Sequence, residues 1–420
     1  MTILIAGAGI AGLTLALSCH QVGLSCRLFE QVDAIRPLGV GINLQPHAVR
    51  ELFELGLEEE LDAIGVRTRE VAYFSSTGRP IWSEPRGRFA GYDWPQFSVH
   101  RGQLQMMLVD AVRERLGPNA IETGMKLTGF ADHAGGVTAA FRDASGYGVA
   151  VEGDILVGAD GIHSTVRERL HPDEGPPVWG GAILWRGTAW AELFLSGATM
   201  AMAGHERQKF VTYPISRPDS ETGRALINFI AELKTDPSRG WRREDYNRTA
   251  DLEEFLPQFE HWRFDWLDVP ALIRSAERIY EYPMIDRDPL DAWTKGHVTL
   301  TGDAAHPMYP IGSNGASQAI LDARVMVREL LVHGPHRDAL TAYENDRRPA
   351  TTGIVLANRG NGPDAVMQIV EERCGGVFDH IDDVLTPEER ATIATDYKKL
   401  AGFDVDGLNA RPPIVPARGG

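Results

Sequence analysis

Cysteine is nearly absent from this chain of 420 residues, which carries three: Cys19, Cys26 and Cys374. No CxxC pair and no Cys/His cluster occurs, so no metal site is expected. So few thiols in a chain this long fit a reducing compartment, and Cys19 and Cys26 read as packing residues rather than a redox pair. No apolar run approaches the ~20 residues that span a bilayer. The N-terminus opens on a strand rather than a charged leader. A cytoplasmic protein with no membrane segment is the expectation. Positive charge is also scarce. There are 42 Lys and Arg against 58 Asp and Glu, for a net charge of −16, which argues against a nucleic-acid partner. An acidic ligand would need a local basic group against that field. No internal repeat or low-complexity segment is present.

What the chain does contain is ordinary in bulk and specific in detail. An apolar fraction of 43% and a charged fraction of 24% are those of a globular enzyme. The length suffices for a large core shared by two interleaved domains. Three short motifs then stand out by their order. Gly7-Ala8-Gly9-Ile10-Ala11-Gly12 follows the apolar run Thr2 to Ala6. Gly158-Ala159-Asp160-Gly161 follows Ile155 to Val157. Gly302-Asp303-Ala304-Ala305-His306-Pro307 follows Val298 to Thr301. Each joins a β-like run to a turn or a helix start.

The first motif predicts a strand, a glycine turn, a helix over 10–22 and a second strand over 25–30. Gly7 permits the turn, Gly9 lets the backbone approach a pyrophosphate, and Gly12 lets the helix pack close to the sheet. The helix start, with Ala11 in its first turn, offers free N–H groups to phosphate. Glu30 ends the second strand, 23 residues after Gly7, where a carboxylate reaches ribose hydroxyls. Dinucleotide binding follows. This fingerprint alone does not separate FAD from NAD.

Further along, helices are expected over 46–55, 102–116, 315–333 and 338–359, the last with Pro349 inside it. Strands are expected within 70–82, and a hairpin over 126–141 broken at Gly135-Gly136. Between 182 and 232 four β-rich runs occur, followed by helical segments near 250–274 and a strand at 278–283. This block reads as a mostly antiparallel sheet with covering helices. Thr386-Pro387-Glu388-Glu389 is a capping box for a C-terminal helix, and Arg411-Pro412-Pro413 reads as a loose tail.

Together the three motifs resemble the signature of the single-component FAD-dependent aromatic hydroxylases, which share the p-hydroxybenzoate hydroxylase fold. Stretches such as Gly41 to Pro46, Trp82 to Gly87, Tyr282 to Leu290 and Met308 to Asp322 are similar to the phenazine branch of that family. Where many members carry Gln-Gly-Ala-Asn, this chain has Asn314-Gly315-Ala316-Ser317, a departure that points away from the phenol-hydroxylating members. The resemblance implies an α/β fold, with a Rossmann-like FAD domain interleaved with an antiparallel substrate domain. Residues 1–70, 97–178 and 287–365 would form the first, 71–96 and 179–286 the second, and 366–420 a C-terminal helix and tail.

It also implies roles. Asp160, Gly161 and Asp303 would serve the flavin's pyrophosphate and ribitol. Arg101 matches a family arginine suited to phosphate or flavin oxygens. Gly39 to Ile42, with Gly41, resembles the mobile flavin-side loop. Pro310 to Gly312 would lie beside the flavin ring, and the helix start at Gly315 and Ala316 would face its electron-rich edge. Trp185, Met202, Tyr213 and Phe229 are candidates for an aromatic substrate slot, and Arg186 or Arg207 for a substrate carboxylate. His306 reads as structural. The implied reaction uses noncovalent FAD, NAD(P)H and O2. It hydroxylates an aromatic or N-heteroaromatic, phenazine-like ring, carboxylated or not, through a flavin C4a-hydroperoxide. A flavin reductase or dehydrogenase without oxygen insertion is the alternative. No nucleic-acid or membrane partner is expected, and the protein would be a monomer or homodimer.

Overall fold

A glycine turn between two short parallel strands sets the frame. In the computed structural model, which describes residues 2–236, 248–360 and 362–416, the strands Ile3–Ala6 and Cys26–Phe29 pair in parallel. The helix Ile10–Val22 connects them. Ile155–Gly158 adds on the other side of Ile3–Ala6, and Val298–Leu300 beyond it, both parallel. Ile121–Glu122 completes a sheet of five strands at the opposite edge. Three of these strands run directly into the three sequence motifs, so the motifs share one end of one sheet.

The first helix is buried on nearly every side. It packs against the helices Arg101–Leu116 and Gly315–His333 as well as the sheet, and its sequence is correspondingly apolar all round. It stops at Gly23, whose φ of 72° is the left-handed conformation that ends helices. Gly12 is required by packing. A Cβ there would lie 2.0 Å from the Gly7 carbonyl oxygen.

A second, seven-stranded sheet is formed by the middle of the chain. Its order is Ile279–Asp286, Val178–Ala191, Ala225–Lys234, Gln208–Pro214, Thr199–His205, Glu70–Phe74 and Pro80–Pro85. All neighbours are antiparallel except Thr199–His205 with Glu70–Phe74. One face packs on the helices Leu252–Phe259 and Val269–Arg274 through Phe210, Phe229, Phe255 and Trp262. The other face turns toward the first domain. Two three-stranded sheets, one containing Gly41–Leu44 and the other the hairpin expected over 126–141 with Gly148–Gly153 added, and the two-stranded pair Arg263–Phe264 with Leu267–Asp268 complete the β structure among the described residues.

Two features depart from the sequence reading. The helix Ala365–Cys374 was not anticipated. Arg411-Pro412-Pro413 are exposed and without regular structure, but the chain is anchored beyond them: Val415 is buried in the core around the parallel sheet. Residues 417–420 lie outside the described residues. The capping box is present as read, with Thr386 Oγ1 accepting from the Glu389 N–H and Glu389 accepting from the Thr386 N–H.

Candidate functional site

The ends of the three motifs open onto one cavity of about 310 Å³. One wall carries Gly9, Ala11, Gly161 and Asp303; the opposite wall is the free face of the seven-stranded sheet. The segment 308–316 closes the space between them.

The first wall is built as a cradle. A Cβ on Gly9 would meet no protein atom within 4 Å, and the same holds for Gly161. Gly9 therefore leaves a space that the protein itself does not fill. The first helix has no side-chain cap and no acidic residue in its first turn, so its leading N–H groups and partial positive charge stay available to an anion. The helix Gly315–His333 likewise has no side-chain cap and no acidic first turn, and its start also lines the cavity. Asp303 and Arg101 are exposed at the rim. Glu30 accepts from the Ala8 N–H at 2.8 Å and from the Val32 N–H at 3.0 Å, holding its carboxylate beside the glycine turn. Gln105 Nε2 donates to the Ala8 carbonyl at 2.8 Å, a brace that the sequence did not reveal. These donors, spaces and uncapped helix ends fit a flavin dinucleotide.

The opposite wall follows from strand alternation. Leu184 and Arg186, Met200 and Met202, Val211 and Tyr213, and Ile230 all point to the cavity side. Arg186 Nη2 donates to the Gly41 carbonyl at 2.8 Å, and its guanidinium lies 5.8 Å from the Tyr282 ring centroid. Burial lowers the Arg186 pKa from its ordinary value, and Tyr213 is pushed up to about 12 by the same cause. Tyr213 is therefore a neutral phenol at neutral pH.

The segment 310–314 is held from behind. Gly312 has a φ of 69°, and its missing Cβ makes room for the Tyr397 hydroxyl, which would lie 1.9 Å away from it. That hydroxyl donates to Asn358 Oδ1 and accepts from Asn314 Nδ2, each at 3.0 Å.

The FAD binding domain family matches residues 1–357. Phenazine 1,6-dicarboxylic acid hydroxylase PhzS of Lysobacter antibioticus is 46% identical over 361 residues, 85% of this chain and 89% of that protein. The chain belongs to the FAD-dependent aromatic monooxygenases. A further relative, 3-amino-4-hydroxybenzoate 2-monooxygenase PtnB3 of Streptomyces platensis, is 32% identical over 425 residues, 97% of this chain and 98% of its own. Klebsiella pneumoniae HpxO, solved with FAD and uric acid, superposes with a TM-score of 0.71 at 21% identity, over 96% of this chain and 92% of that one. That likeness carries the fold. Among the described residues no helix is long and apolar enough to cross a membrane.

Within this monooxygenase the residues singled out in the sequence fall into three groups. Gly9, Ala11, Gly41, Arg101, Gly161, Arg186, Met202, Tyr213, Asp303, Pro310, Gly312, Gly315 and Ala316 all line the cavity. Gly7, Gly12 and Glu30 sit behind its lining and shape the turn. The remainder lie elsewhere. Trp185 stacks on Phe255 at 4.9 Å and Phe229 packs against Phe210, both on the far face of the sheet. Residue 185 cannot share a face with 186, nor 229 with 230. Asp160 turns away to start the helix Thr165–Leu170, accepting from Ser164 Oγ and the Thr165 and Val166 N–H groups. Arg207 is exposed in the turn between two strands. Gly41 opens a strand rather than a mobile loop, with its N–H donated to Asn228 Oδ1 at 2.7 Å.

His306 is buried with Nε2 2.5 Å from Asp322 Oδ2. Burial alone would raise the Asp322 carboxyl, but His306 and Arg347 outweigh it and hold it below the usual carboxylate range. This pair braces the third motif from within the core.

Sequence reasoning missed Lys209, Glu232 and Asp364, which are buried, charged and line the cavity. Burial by itself would lower the Lys209 ammonium; the carboxylates of Asp364 and Glu232 outweigh that and hold it above its ordinary range.

Proposed function

We propose that this monooxygenase hydroxylates a fused N-heteroaromatic ring of the phenazine kind, using NAD(P)H and O2 and holding FAD noncovalently. The observation that carries the substrate class is the floor of the cavity. Leu184, Met202, Val211 and Ile230 give a continuous apolar surface with Arg186 at its side. Flat apolar floors with few polar groups suit planar aromatics. The relative at 46% identity is named for a phenazine dicarboxylic acid, which supports the same reading.

The chain's own groups then have distinct tasks. Gly9 and the first helix start would hold the pyrophosphate, with Gly7 turning the chain behind them, Glu30 beside that turn would take the ribose, and Asp303 with Arg101 the ribitol and ring side. The uncapped Gly315 helix start and the Pro310–Gly312 backbone would offer N–H groups to negative charge on the flavin. Bound FAD supplies electron transfer from NAD(P)H and oxygen activation. The apolar floor excludes water and fixes the ring in reach of the reacting edge. Arg186 orients a substrate carboxylate. Three free cysteines are compatible with a reducing cytoplasm.

The test is product analysis. The FAD-loaded protein is given phenazine carboxylic acids and single-ring benzoic acids with NADH or NADPH. A product heavier by one oxygen is expected from the phenazines, with or without loss of the carboxyl. Oxygenated products from the single-ring acids alone would overturn the substrate class.

A further inference from the structure

Strand register makes the cavity floor a grid. Lys209 stands opposite Glu232, Val211 opposite Ile230, and Tyr213 opposite Asn228. Residues two apart share a face, so Lys209, Val211 and Tyr213 stand in line on the cavity side. The Tyr213 end belongs to the flavin side, because Gly41 lies against Tyr213 and bonds to Asn228. The Lys209 end lies about 13 Å away, four residues at ~3.3 Å each. That distance suits a fused ring system better than a single ring.

At the far end Asp364 closes over the pair. Lys209 Nζ donates to Asp364 Oδ2 at 2.9 Å and lies 3.3 Å from Glu232 Oε2. The three residues are 4%, 6% and 6% exposed for Lys209, Glu232 and Asp364. Two carboxylates thus share one ammonium inside the site. One of their atoms is left over. Asp364 Oδ1 is buried and has no hydrogen-bond partner among the described residues. Buried polar atoms are almost always satisfied, and a carboxylate oxygen can only accept. The group that satisfies it must therefore donate. A second carboxylate in that place would face two others across an ammonium already engaged.

We propose that Lys209, Glu232 and Asp364 form a substrate subsite for a hydrogen-bond donor, an aromatic O–H or N–H group on the end of the ring system far from the flavin. A substrate carboxylate then lies at the Arg186 end. This assignment rests on the aromatic-substrate reading above and adds polarity and orientation to it.

The experiment follows flavin absorbance while the FAD-loaded protein is titrated with matched probes. These are 2-hydroxyphenazine, 2-methoxyphenazine and phenazine-2-carboxylate, and in parallel 6-hydroxyquinoline and 6-methoxyquinoline. On whichever scaffold binds, the hydroxyl compound is expected to bind about ten- to a hundredfold more tightly than its methoxy partner. In Asp364→Asn the amide oxygen stays with Lys209 and the free corner becomes an NH2 donor. The preference then shrinks below about threefold or reverses. Should that variant fail to fold, the wild-type ranking still decides. Equal binding of hydroxy and methoxy probes overturns the subsite. So does a preference unchanged in folded Asp364→Asn. A hydroxyl preference among quinolines with no phenazine binding supports the subsite and overturns the phenazine reading. No binding by any probe overturns both.

Discussion

Gly9 and Gly12 are three residues apart and serve opposite masters. Gly12 is small because the protein's own backbone is in the way; Gly9 is small because nothing of the protein is. Gly9→Val is therefore expected to fold normally and to lose FAD. Gly12→Val is expected to fail to fold, since a Cβ at 2.0 Å from a carbonyl oxygen forces helix and sheet apart. Thermal melting with flavin released by heat separates the two outcomes; a Gly9→Val protein with full flavin content would refute the cradle. The two faces of the middle sheet give a second contrast. Trp185→Ala should destabilise the fold by about 3–5 kcal/mol and leave the substrate KM of any folded protein nearly unchanged. Met202→Ala should shift KM with a smaller loss of stability. Urea denaturation and steady-state kinetics on both variants check this.

These contrasts also mark what the sequence makes legible. A glycine fingerprint encodes local geometry, so Gly7, Gly9 and Gly12 could be placed without any tertiary information. A strand's alternation is equally visible, but which parity faces the ligand is not. Trp185 and Arg186 are neighbours with opposite fates, and only the pairing of their strand with its partners decides between them. Lys209, Glu232 and Asp364 were invisible for a related reason. Lys209 and Asp364 are 155 residues apart, and a charged residue in an alternating strand reads as a solvated one.

At the scale of elements, the helix Pro46–Glu54 and the helix Gly315–His333 meet the C-terminal segment around His47. His47 stacks on Phe403 at 5.2 Å, and its Nε2 is 3.2 Å from Gln318 Nε2. Burial, with Arg347 and Arg411 nearby, pushes its pKa down to about 3. The native imidazole is neutral there while the unfolded one titrates near its ordinary value of about 6.5. Between those values the unfolded chain binds the extra proton, so stability falls as pH falls. A loss of about 2 kcal/mol is expected between about pH 7.5 and pH 5. His47→Gln should flatten that slope in urea titrations; an unchanged slope would remove His47 as its cause.

The helix Pro387–Leu400 supports the 310–314 segment through Tyr397. Tyr397→Phe keeps the ring against Gly312 and deletes both hydroxyl contacts. It should retain FAD and release more hydrogen peroxide per NAD(P)H consumed, because the 310–314 loop is less firmly placed. Peroxide and product yields on one sample measure this, and unaltered coupling would reduce Tyr397 to a packing role.

For the whole molecule, the parallel sheet and the antiparallel sheet touch the same cavity from opposite sides, and Gly41, which opens a strand of a third, three-stranded sheet, is bonded to the antiparallel one. Its N–H bonds Asn228 and its carbonyl bonds Arg186. A substrate that engages Arg186 therefore acts on the strand beside the flavin. Flavin reduction by NAD(P)H should be slow without substrate and strongly stimulated by one that fits, a gating step of the kind seen for mobile active-site segments. Gly41→Pro, which removes the N–H and fixes φ, should lower stimulated reduction more than FAD binding. Stopped-flow reduction with and without substrate decides, and equal rates would eliminate gating through Gly41.

The reach of the chain's two ends into one site has a consequence for how the protein is made. The pyrophosphate turn emerges first, at Gly7 to Gly12. Its sheet is not complete until Val298–Leu300 pairs with Ile155–Gly158, and the loop at Gly312 has no backing until Tyr397 has left the ribosome. Val415 is needed in the same core. Such distant pairings are slow to form. A nascent chain therefore has no finished place for its cofactor until the helix Pro387–Leu400 has folded in behind the loop. A chain stopped short of that helix is expected to emerge colourless, so that bound yellow colour becomes a record that translation has passed Tyr397.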